Sequence, residues 1–261
     1  MSRPTALVTG ASVGIGSAFA RLLAERGHDL VLVARDRQRL EALAKELEAA
    51  HETSVEVLPA DLTVGSELAT VEARGADSAR PVEILVNNAG FGSFGRFHEL
   101  DIATEAREVQ LNVLALVRLT HAAARTMAPR GSGGILNVSS LAGFQPGPFN
   151  AVYAASKAFV TSFTESVHEE LKGTGVRVAA LCPGFTRTEF QERANAPAHR
   201  VPGFLWQTAE DVARTGLNGL DKNHAVVVSG GVNRVSAVLS SMTPHAITRR
   251  ASAFVVGRNA N

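Results

Sequence analysis

The clearest candidates for chemistry are a tyrosine and a lysine that stand four residues apart. Tyr153 is the only tyrosine in the chain, and Lys157 follows it at helical spacing, so both side chains project from one face of a predicted helix. A free phenol has a pKa of about 10, but a neighbouring ammonium favours the phenolate and makes the pair a usable proton donor and acceptor. Ser140 lies thirteen residues earlier, at the end of a predicted strand, where its hydroxyl can bind the same substrate oxygen as the phenol.

A glycine-rich turn near the start of the chain favours the binding of a diphosphate. Gly10, Gly14 and Gly16 lie between the first predicted strand and a helix that runs to about Arg26. Glycines allow the backbone to approach a ligand closely, and the free amides at a helix N-terminus attract an anion. The same turn also fits the G-x-S-x-G pattern of serine hydrolases, with Ser12 as the nucleophile, so hydrolysis is an alternative at this point.

The elements that must position these residues alternate between short apolar strands and amphipathic helices. Helices are predicted at residues 37–50, 103–127 and 152–171. Several strands are apolar without alternation, as is typical of strands covered on both faces. Right-handed crossovers then predict an α/β fold with a doubly wound, seven-stranded parallel sheet, the Rossmann fold, in a single domain over residues 1–261. The predicted strands lie at residues 5–9, 29–34, 54–59, 82–86, 134–139, 176–181 and 225–229.

Length and composition exclude several classes of protein. The chain has 261 residues, which fits one large α/β domain, and its 26 basic and 25 acidic side chains give a net charge of +1, so nucleic acid is not an expected partner. The single cysteine, Cys182, excludes an internal disulfide and suits the cytoplasm, and the scattered histidines offer no metal site. We expect neither a signal peptide nor a transmembrane span.

Further motifs follow in chain order. Asn87-Asn88-Ala89-Gly90 ends the fourth predicted strand, Asn137-Val138-Ser139-Ser140 ends the fifth, and Tyr153-Ala154-Ala155-Ser156-Lys157 lies near the start of a helix. With the glycine-rich turn and the segment Pro183-Gly184-Phe185-Thr186-Arg187-Thr188, they resemble the motifs of the short-chain dehydrogenase/reductase family, in its single-domain branch, over residues 5 to about 230. The resemblance implies an oxidoreductase whose hydride chemistry belongs to a nicotinamide coenzyme.

The resemblance also assigns roles to individual residues. It implies a catalytic set of Ser140, Tyr153, Lys157 and Asn112, in which the asparagine helps to hold a water that links the lysine to solvent. The carboxylate of Asp61 is expected to contact adenine. The coenzyme-binding positions implied in this way are Thr9, Gly10, Ser12, Gly14, Ile15, Gly16, Arg35, Asp61, Leu62, Asn88, Ala89, Gly90, Tyr153, Lys157, Pro183, Gly184, Thr186 and Thr188.

The end of the second predicted strand bears on the choice of coenzyme. NAD-preferring relatives carry an acidic residue at the position of Ala34, which has no group to bind the ribose hydroxyls. Arg35 resembles the arginine that selects NADP, because a planar guanidinium can pair with a 2′-phosphate and stack on adenine. We therefore predict NADP(H) in preference to NAD(H). Asp36, at the generic spacing for a ribose-binding acid, is the feature that favours NAD(H) instead.

Aromatic residues are concentrated after three strands, where a doubly wound sheet opens its ligand crevice. Eight of the twelve phenylalanines and the only tryptophan lie in residues 91–97, 144–149 and 185–206. This predicts an apolar pocket that accepts a bulky or chain-bearing ketone, with a lid at about 185–206; packing of that lid onto the body of the protein is the alternative use of the rings.

A C-terminal extension is predicted at about 231–257, with helices at 232–242 and 244–256. Such helices can cover the sheet edge, form an oligomer contact or rest on a lipid surface. The resemblance suggests a homodimer or homotetramer, with a dimer built on the helices that contain Asn112 and Tyr153.

The expected function is thus an NADP(H)-dependent reduction of a hydrophobic ketone or other carbonyl, or oxidation of the corresponding secondary alcohol, in the cytoplasm. Three alternatives remain open. They are an NAD-dependent alcohol or steroid dehydrogenase, a serine hydrolase acting through Ser12, and a dinucleotide-binding protein without turnover.

Overall fold

Seven parallel strands form one continuous sheet in the computed structural model, which describes residues 3–194 and 202–243. The predicted seven-stranded parallel sheet is confirmed. The strands are β1 (Thr5–Thr9), β2 (Asp29–Ala34), β3 (Val55–Pro59), β4 (Val82–Asn87), β5 (Gly133–Val138), β6 (Val176–Cys182) and β7 (Val226–Val228). They lie in the order β3-β2-β1-β4-β5-β6-β7 across the sheet.

Helices connect successive strands. The predicted helix at 103–127 consists of two α-helices joined by a π-helical turn at Gln110–Ala115. The described part of the chain contains no helix with both the length and the apolar character needed to cross a bilayer. The α-helices are α1 (Gly14–Glu25), α2 (Arg37–Ala50), α3 (Gly65–Gly75), α4 (Ile102–Val109), α5 (Leu116–Arg130), α6 (Ala151–Glu170), α7 (Phe190–Arg193), α8 (Ala209–Asp221) and α9 (Gly231–Met242).

The helix predicted at 232–242 corresponds to α9. The helix predicted at 244–256 lies outside the described residues.

Both faces of the sheet are buried, which explains the unbroken apolar runs of the strands. In β1, Leu7 belongs to a core with α3 and α5, whereas its neighbour Val8 belongs to the core on the opposite face with α1, α2 and α8. Val31 and Leu32 of β2 divide between the same two cores. Because successive side chains of a strand point to opposite faces, a strand covered on both sides needs apolar residues at consecutive positions.

A buried polar network connects the two central strands at their carboxyl ends. Asn87 and Asn137 are register partners on β4 and β5, and the Asn87 amide donates to Asn137 Oδ1 at 2.9 Å. It also donates to Thr120 of α5 at 3.1 Å, while Asn137 donates to Thr164 of α6 at 3.0 Å. These bonds join α5 and α6 to the strand ends.

The neighbours β1 and β4 mark the point where the strand order reverses, because β2 and β3 lie on one side of them and β5 to β7 on the other. In open α/β sheets, ligands bind in the crevice at the carboxyl ends of the strands at such a point. The fold therefore places the candidate site beyond the ends of β1 and β4.

Candidate active site

The carboxyl ends of the strands open into a cavity of about 1230 Å³. Its walls come from the glycine-rich turn, the residues that follow β2 to β6, the start of α6 and the segment that leads into α7. Of the residues predicted to bind coenzyme, all but Thr9 and Gly16 line this cavity, and so does Ser140. Asn112, the other predicted site residue outside the lining, lies behind the wall.

Gly10 and Gly14 adopt left-handed backbone conformations, with φ of +66° and +58°. A Cβ atom on Gly10 would lie 2.7 Å from the Asn88 amide nitrogen, and one on Gly14 would lie 2.9 Å from a Thr188 methyl carbon. Both conformation and space therefore favour glycine. Val13, at the N-cap of α1, has no side-chain group to bond the first-turn amides, which leaves them for an anion.

Thr9 and Gly16 shape the turn from behind the cavity wall. The Thr9 hydroxyl accepts hydrogen bonds from the backbone amides of Asn88 and Ala89, both at 3.0 Å. A Cβ on Gly16 would lie 2.1 Å from the Gly10 carbonyl oxygen, so α1 packs directly against the turn. The two residues therefore position the turn without lining the cavity, and their part in coenzyme binding stays a prediction.

Tyr153 and Lys157 lie on one face of α6, and Ser140 faces them from the end of β5. The Lys157 ammonium donates to the Val138 carbonyl at 2.8 Å and lies 5.7 Å from the centre of the Tyr153 ring. The Ser140 side chain interacts with the Tyr153 side chain, and its hydroxyl accepts from the Ala142 amide at 3.1 Å. Two hydroxyls and one ammonium thus converge on one wall of the cavity.

Burial dominates the proton affinities of this group. Desolvation raises the pKa of Tyr153 to about 12, although the hydrogen bond with Ser140 opposes the shift. Desolvation also lowers the pKa of Lys157 to about 8. The phenol of the protein alone is therefore protonated at neutral pH, in contrast to the phenolate that a neighbouring ammonium favours, because the loss of water dominates and the negative charge of Glu108 adds to it. A protonated phenol is the form that can donate to a carbonyl oxygen.

Asn112 lies in the π-helical turn between α4 and α5 and is buried. Its amide accepts from the Phe91 backbone at 3.1 Å, donates to the Phe91 carbonyl at 2.8 Å and donates to Ser156 Oγ at 3.2 Å. A Cβ on Gly90 would lie 2.9 Å from Asn112 Oδ1 and 3.5 Å from Lys157 Nζ. The asparagine therefore binds the loop after β4 and keeps it beside the lysine.

Two arginines line the end of the cavity beside β2. Arg35 follows the strand, and Arg39 lies one helical turn further on, in α2, where it also forms an ion pair with Glu189 at 3.0 Å. Asp36 caps α2: its carboxylate accepts from the Arg39 amide at 3.0 Å and lies 3.4 Å from the Arg39 guanidinium. Arg39 is absent from the predicted set, and the signal that could have found it is its place in the first turn of the helix that follows β2.

Asp61 and Leu62 follow β3 at the same end of the cavity. Burial raises the pKa of Asp61, but hydrogen bonds from Thr63 and the positive charges of Arg35 and Arg107 outweigh burial, so the pKa lies below its ordinary value. Asp61 is thus an acceptor at neutral pH. Arg107, from α4, also lines the cavity, and nothing in its local sequence distinguishes it from a surface arginine.

Ser12 lines the cavity, but the cavity lining contains no histidine within residues 3–194 and 202–243. His28 and His168 each direct a ring nitrogen at a backbone carbonyl. A serine nucleophile needs an adjacent base. The geometry therefore gives no support to hydrolysis through Ser12.

Aromatic side chains cover part of the cavity wall. Phe190 of α7 packs 5.4 Å from the Tyr153 ring, whereas Phe204 is 77% exposed and Trp206 packs against Phe185 at 5.7 Å. Of the predicted lid, the structure describes residues 185–194 and 202–206. The phenylalanines that line the cavity are Phe91, Phe94, Phe185 and Phe190.

The chain is similar to known oxidoreductases. The family model described as short chain dehydrogenase matches residues 4–199. The chain is similar to the ketoacyl reductase HetN of Nostoc sp., with 36% identity over 241 residues that cover 91% of this chain and 82% of the relative. It is also similar to sulfoacetaldehyde reductase 2 of Chromohalobacter salexigens, with 40% identity over 188 residues that cover 70% of this chain and 73% of the relative.

Two solved structures are similar to this one over most of both chains. A short-chain dehydrogenase from Sphingobium yanoikuyae in complex with NADPH has a TM-score of 0.83 and 39% identity, with 90% of this chain and 91% of that chain covered. A bulky-bulky ketone specific alcohol dehydrogenase from Comamonas testosteroni has a TM-score of 0.79 and 33% identity, with 94% and 97% covered.

The buried hydroxyl of Thr9 is expected to stabilise the folded protein. In Thr9→Val the Ala89 amide loses its acceptor, and the Asn88 amide keeps only the Val86 carbonyl, in a site where Thr9 is 1% exposed. A buried amide left unpaired costs about 1–3 kcal/mol. We expect the free energy of unfolding of the coenzyme-free protein to fall by about 1–3 kcal/mol, measured by urea denaturation.

The control is Thr70→Val, because the Thr70 hydroxyl bonds a carbonyl on the exposed side of α3. This variant should stay within about 0.5 kcal/mol of the parent protein. Equal stability of the two variants would show that the amides after β4 do not depend on Thr9.

Proposed function

This protein belongs to the short-chain dehydrogenase family, and we propose that it is an NADP(H)-dependent oxidoreductase that reduces a hydrophobic ketone or oxidises the corresponding secondary alcohol. The observation that carries the proposal is the convergence of Tyr153, Ser140 and the buried Lys157 on one cavity wall. These groups provide a proton donor and a hydroxyl for one substrate oxygen.

The four predicted catalytic residues have different roles in the proposed reaction. Tyr153 donates its phenolic proton to the carbonyl oxygen as that oxygen gains negative charge, and Ser140 donates a hydrogen bond to the same oxygen. The ammonium of Lys157 stabilises the tyrosine as it loses the proton. Asn112 keeps the loop after β4 beside the lysine and completes the path by which the tyrosine regains a proton.

The residues present fit a nicotinamide coenzyme, which supplies the hydride when it is bound. Gly10 and Gly14 allow the left-handed backbone of the turn, and the first amides of α1 have no side-chain cap, so a diphosphate can bind them. Asp61 offers an acceptor for adenine, and the cavity continues from there to Tyr153 and Thr188. A single crevice thus has room for both the coenzyme and a substrate.

The preference for NADP(H) rests on charge at the end of β2. Arg35 and Arg39 both line the cavity, and planar guanidinium groups bind phosphate through paired hydrogen bonds. The acid that favours NAD(H), Asp36, already accepts from the first turn of α2 and pairs with Arg39. Its two partners reduce its capacity to bind the ribose hydroxyls.

A hydrophobic substrate is supported by the aromatic part of the wall. Phe94 and Phe190 lie in the same cavity as Tyr153. The wall also contains Gln191, whose side-chain oxygen is buried without a hydrogen-bond partner in the described part of the chain, so one polar group on an otherwise apolar ketone has a place to bind.

Domain organisation, location and oligomeric state are part of the proposal. We infer one domain over residues 1–261, with a lid at 185–206 and a C-terminal extension at 231–257, in a cytoplasmic protein. A homodimer or homotetramer is supported by apolar side chains exposed on the helices that contain Asn112 and Tyr153 and on the segments next to them. These side chains are Ile102, Val109, Leu114 and Phe159.

Tyr153→Phe tests the reaction itself. The variant keeps the ring against Phe190 but lacks the proton donor. We expect kcat for carbonyl reduction to fall by ~10²–10⁴-fold, with the Kd of the coenzyme nearly unchanged. The measurements are the loss of reduced-nicotinamide absorbance with a panel of ketones and a direct binding titration. A rate close to that of the parent protein would remove Tyr153 from the mechanism.

Arg35→Ala tests the choice of coenzyme. Loss of a charge-assisted hydrogen bond costs about 1.5–3 kcal/mol, so kcat/KM for NADPH should fall on the order of 10–100-fold while that for NADH changes little. The matched control is Arg37→Ala, because Arg37 lies outside the cavity wall and pairs with Glu41 on the surface of α2. Higher kcat/KM with NADH than with NADPH in the parent protein would contradict the preference.

Substrate class is tested with two ketones of different character. A bulky hydrophobic ketone should have a kcat/KM on the order of 10²-fold above that of a small charged keto acid, because the aromatic wall stabilises one and desolvates the other. Comparable values for the two would refute the apolar pocket. Coenzyme binding without turnover of either compound would favour a protein that only binds dinucleotides.

A further inference from the structure

Two carboxylic acids are buried on the inner face of α4, and the proposed reaction uses neither. Glu105 is 3% exposed and Glu108 is fully buried. They stand three residues apart, so their side chains lie on the same side of the helix. The Oε1 atom of each acid is buried without a hydrogen-bond partner in the part of the chain that the structure describes. Burial of an unpartnered carboxyl oxygen destabilises the folded state unless surrounding groups compensate for the lost solvation.

Glu108 binds the loop that follows β4. Its Oε2 atom accepts a hydrogen bond from the Ser93 backbone amide at 3.1 Å. The Ser93 carbonyl in turn accepts from the side chain of Asn150, the N-cap residue that directly precedes α6. The loop is therefore tied to α4 on one side and to the start of the helix that carries Tyr153 and Lys157 on the other.

The same loop separates Glu108 from the proposed catalytic pair by one layer of backbone. A Cβ on Gly92 would lie 2.9 Å from the Tyr153 ring, and one on Gly90 would lie 3.5 Å from Lys157 Nζ. A side chain at position 92 has no room against Tyr153, and the backbone at position 90 lies close enough for a Cβ to contact Lys157. A charge on Glu108 consequently acts on the pair across a thin layer of low polarity, where electrostatic interactions are stronger than in water.

Among residues 3–194 and 202–243, three titratable groups act on Glu108 or respond to its charge. Glu105 faces it from its own helix, and Tyr153 and Lys157 face it from α6, while Ser93 of the loop is uncharged. Lys157 in turn is faced by Glu108 and by Cys182 of β6. Burial and the charge of Glu105 raise the pKa of Glu108 to about 7. Burial lowers the pKa of Lys157, and the negative charge of Glu108 opposes that shift.

We propose that Glu108 is a positioning residue of the active site: its carboxylate holds the loop of residues 90–93 against Tyr153 and keeps the buried Lys157 in the ammonium form. The catalytic consequence of this inference rests on the proposed function, whereas the interaction between Glu108 and Lys157 does not. Loss of the carboxylate charge leaves the ammonium with the Val138 carbonyl but without a compensating negative charge from α4.

The lysine content of the chain allows a direct test. The four lysines are Lys45, Lys157, Lys172 and Lys222, and of these only Lys157 is buried, the other three being exposed. In coenzyme-free protein labelled with ¹³C-lysine, the side-chain resonance of Lys157 should titrate well below the ordinary pKa of a lysine. In Glu108→Gln its pKa should fall further, on the order of one unit, and the other three should not move.

Glu105→Gln is the matched control, because Glu105 lies on the same helix with similar burial and the same unpartnered oxygen. It should move the pKa of Lys157 much less than Glu108→Gln does. Glu108→Asp, which retains the charge, should keep the pKa of Lys157 near that of the parent protein. An unchanged pKa in Glu108→Gln, or equal shifts in the two glutamine variants, overturns the proposal.

The parent protein provides a test that needs no variant. As Glu108 titrates near pH 7, the Lys157 resonance should show a second, smaller inflection at that pH, because the two charges interact. Absence of this inflection contradicts the proposal even where Glu108→Gln fails to fold.

Kinetic measurements test the role of Glu108 in catalysis, and the lysine titration tests it independently of the proposed activity. In carbonyl reduction the activity should be lost as Lys157 loses its proton, and in Glu108→Gln this alkaline limb of kcat should move to lower pH by the same interval as the lysine titration. A purely structural role would lower kcat without moving the limb. If the parent protein reduces no carbonyl with either coenzyme, the proposed function fails, and the lysine titration still decides the role of Glu108.

Discussion

The buried ammonium of Lys157 is the constraint on which the site depends. Removal of a charged group from water costs several kcal/mol unless close partners compensate, so its surroundings have little freedom. The side chain donates to the Val138 carbonyl, and the Lys157 backbone carbonyl accepts from Ser139 Oγ at 2.7 Å. The end of β5 and α6 are thus joined twice at one residue. Because Tyr153 lies one turn earlier in α6, this junction also sets its position opposite Ser140.

The backbone of the loop after β4 encloses the catalytic pair from the other side. Gly90 packs against Asn112 beside Lys157, and Gly92 packs against Tyr153, where a larger residue has no room. The loop has no regular structure of its own, and polar side chains from other elements hold it: Thr9 from β1 and Asn112 from the π-helical turn. The result is a site of low polarity in which small changes of charge alter proton affinities.

Much of this arrangement could be predicted because its signals are local. Consecutive apolar residues identify strands covered on both faces, glycines mark a turn with left-handed backbone, and a four-residue spacing places Tyr153 and Lys157 together. The sequence does not indicate that Thr9 accepts from two amides 79 and 80 residues away, or that Asn112 binds the backbone of Phe91. Such partners meet only through the packing of elements that are distant in the chain.

The sequence by itself thus determined the order of strands and helices, the family and the types of the reacting groups, because these follow from residue spacing and composition. Only the tertiary structure decided the ionisation of those groups. The phenol of Tyr153 has a raised pKa, Lys157 a lowered one and Glu108 a raised one, each chiefly through burial. Desolvation depends on what covers a side chain in three dimensions, and no short-range pattern of residues records that cover.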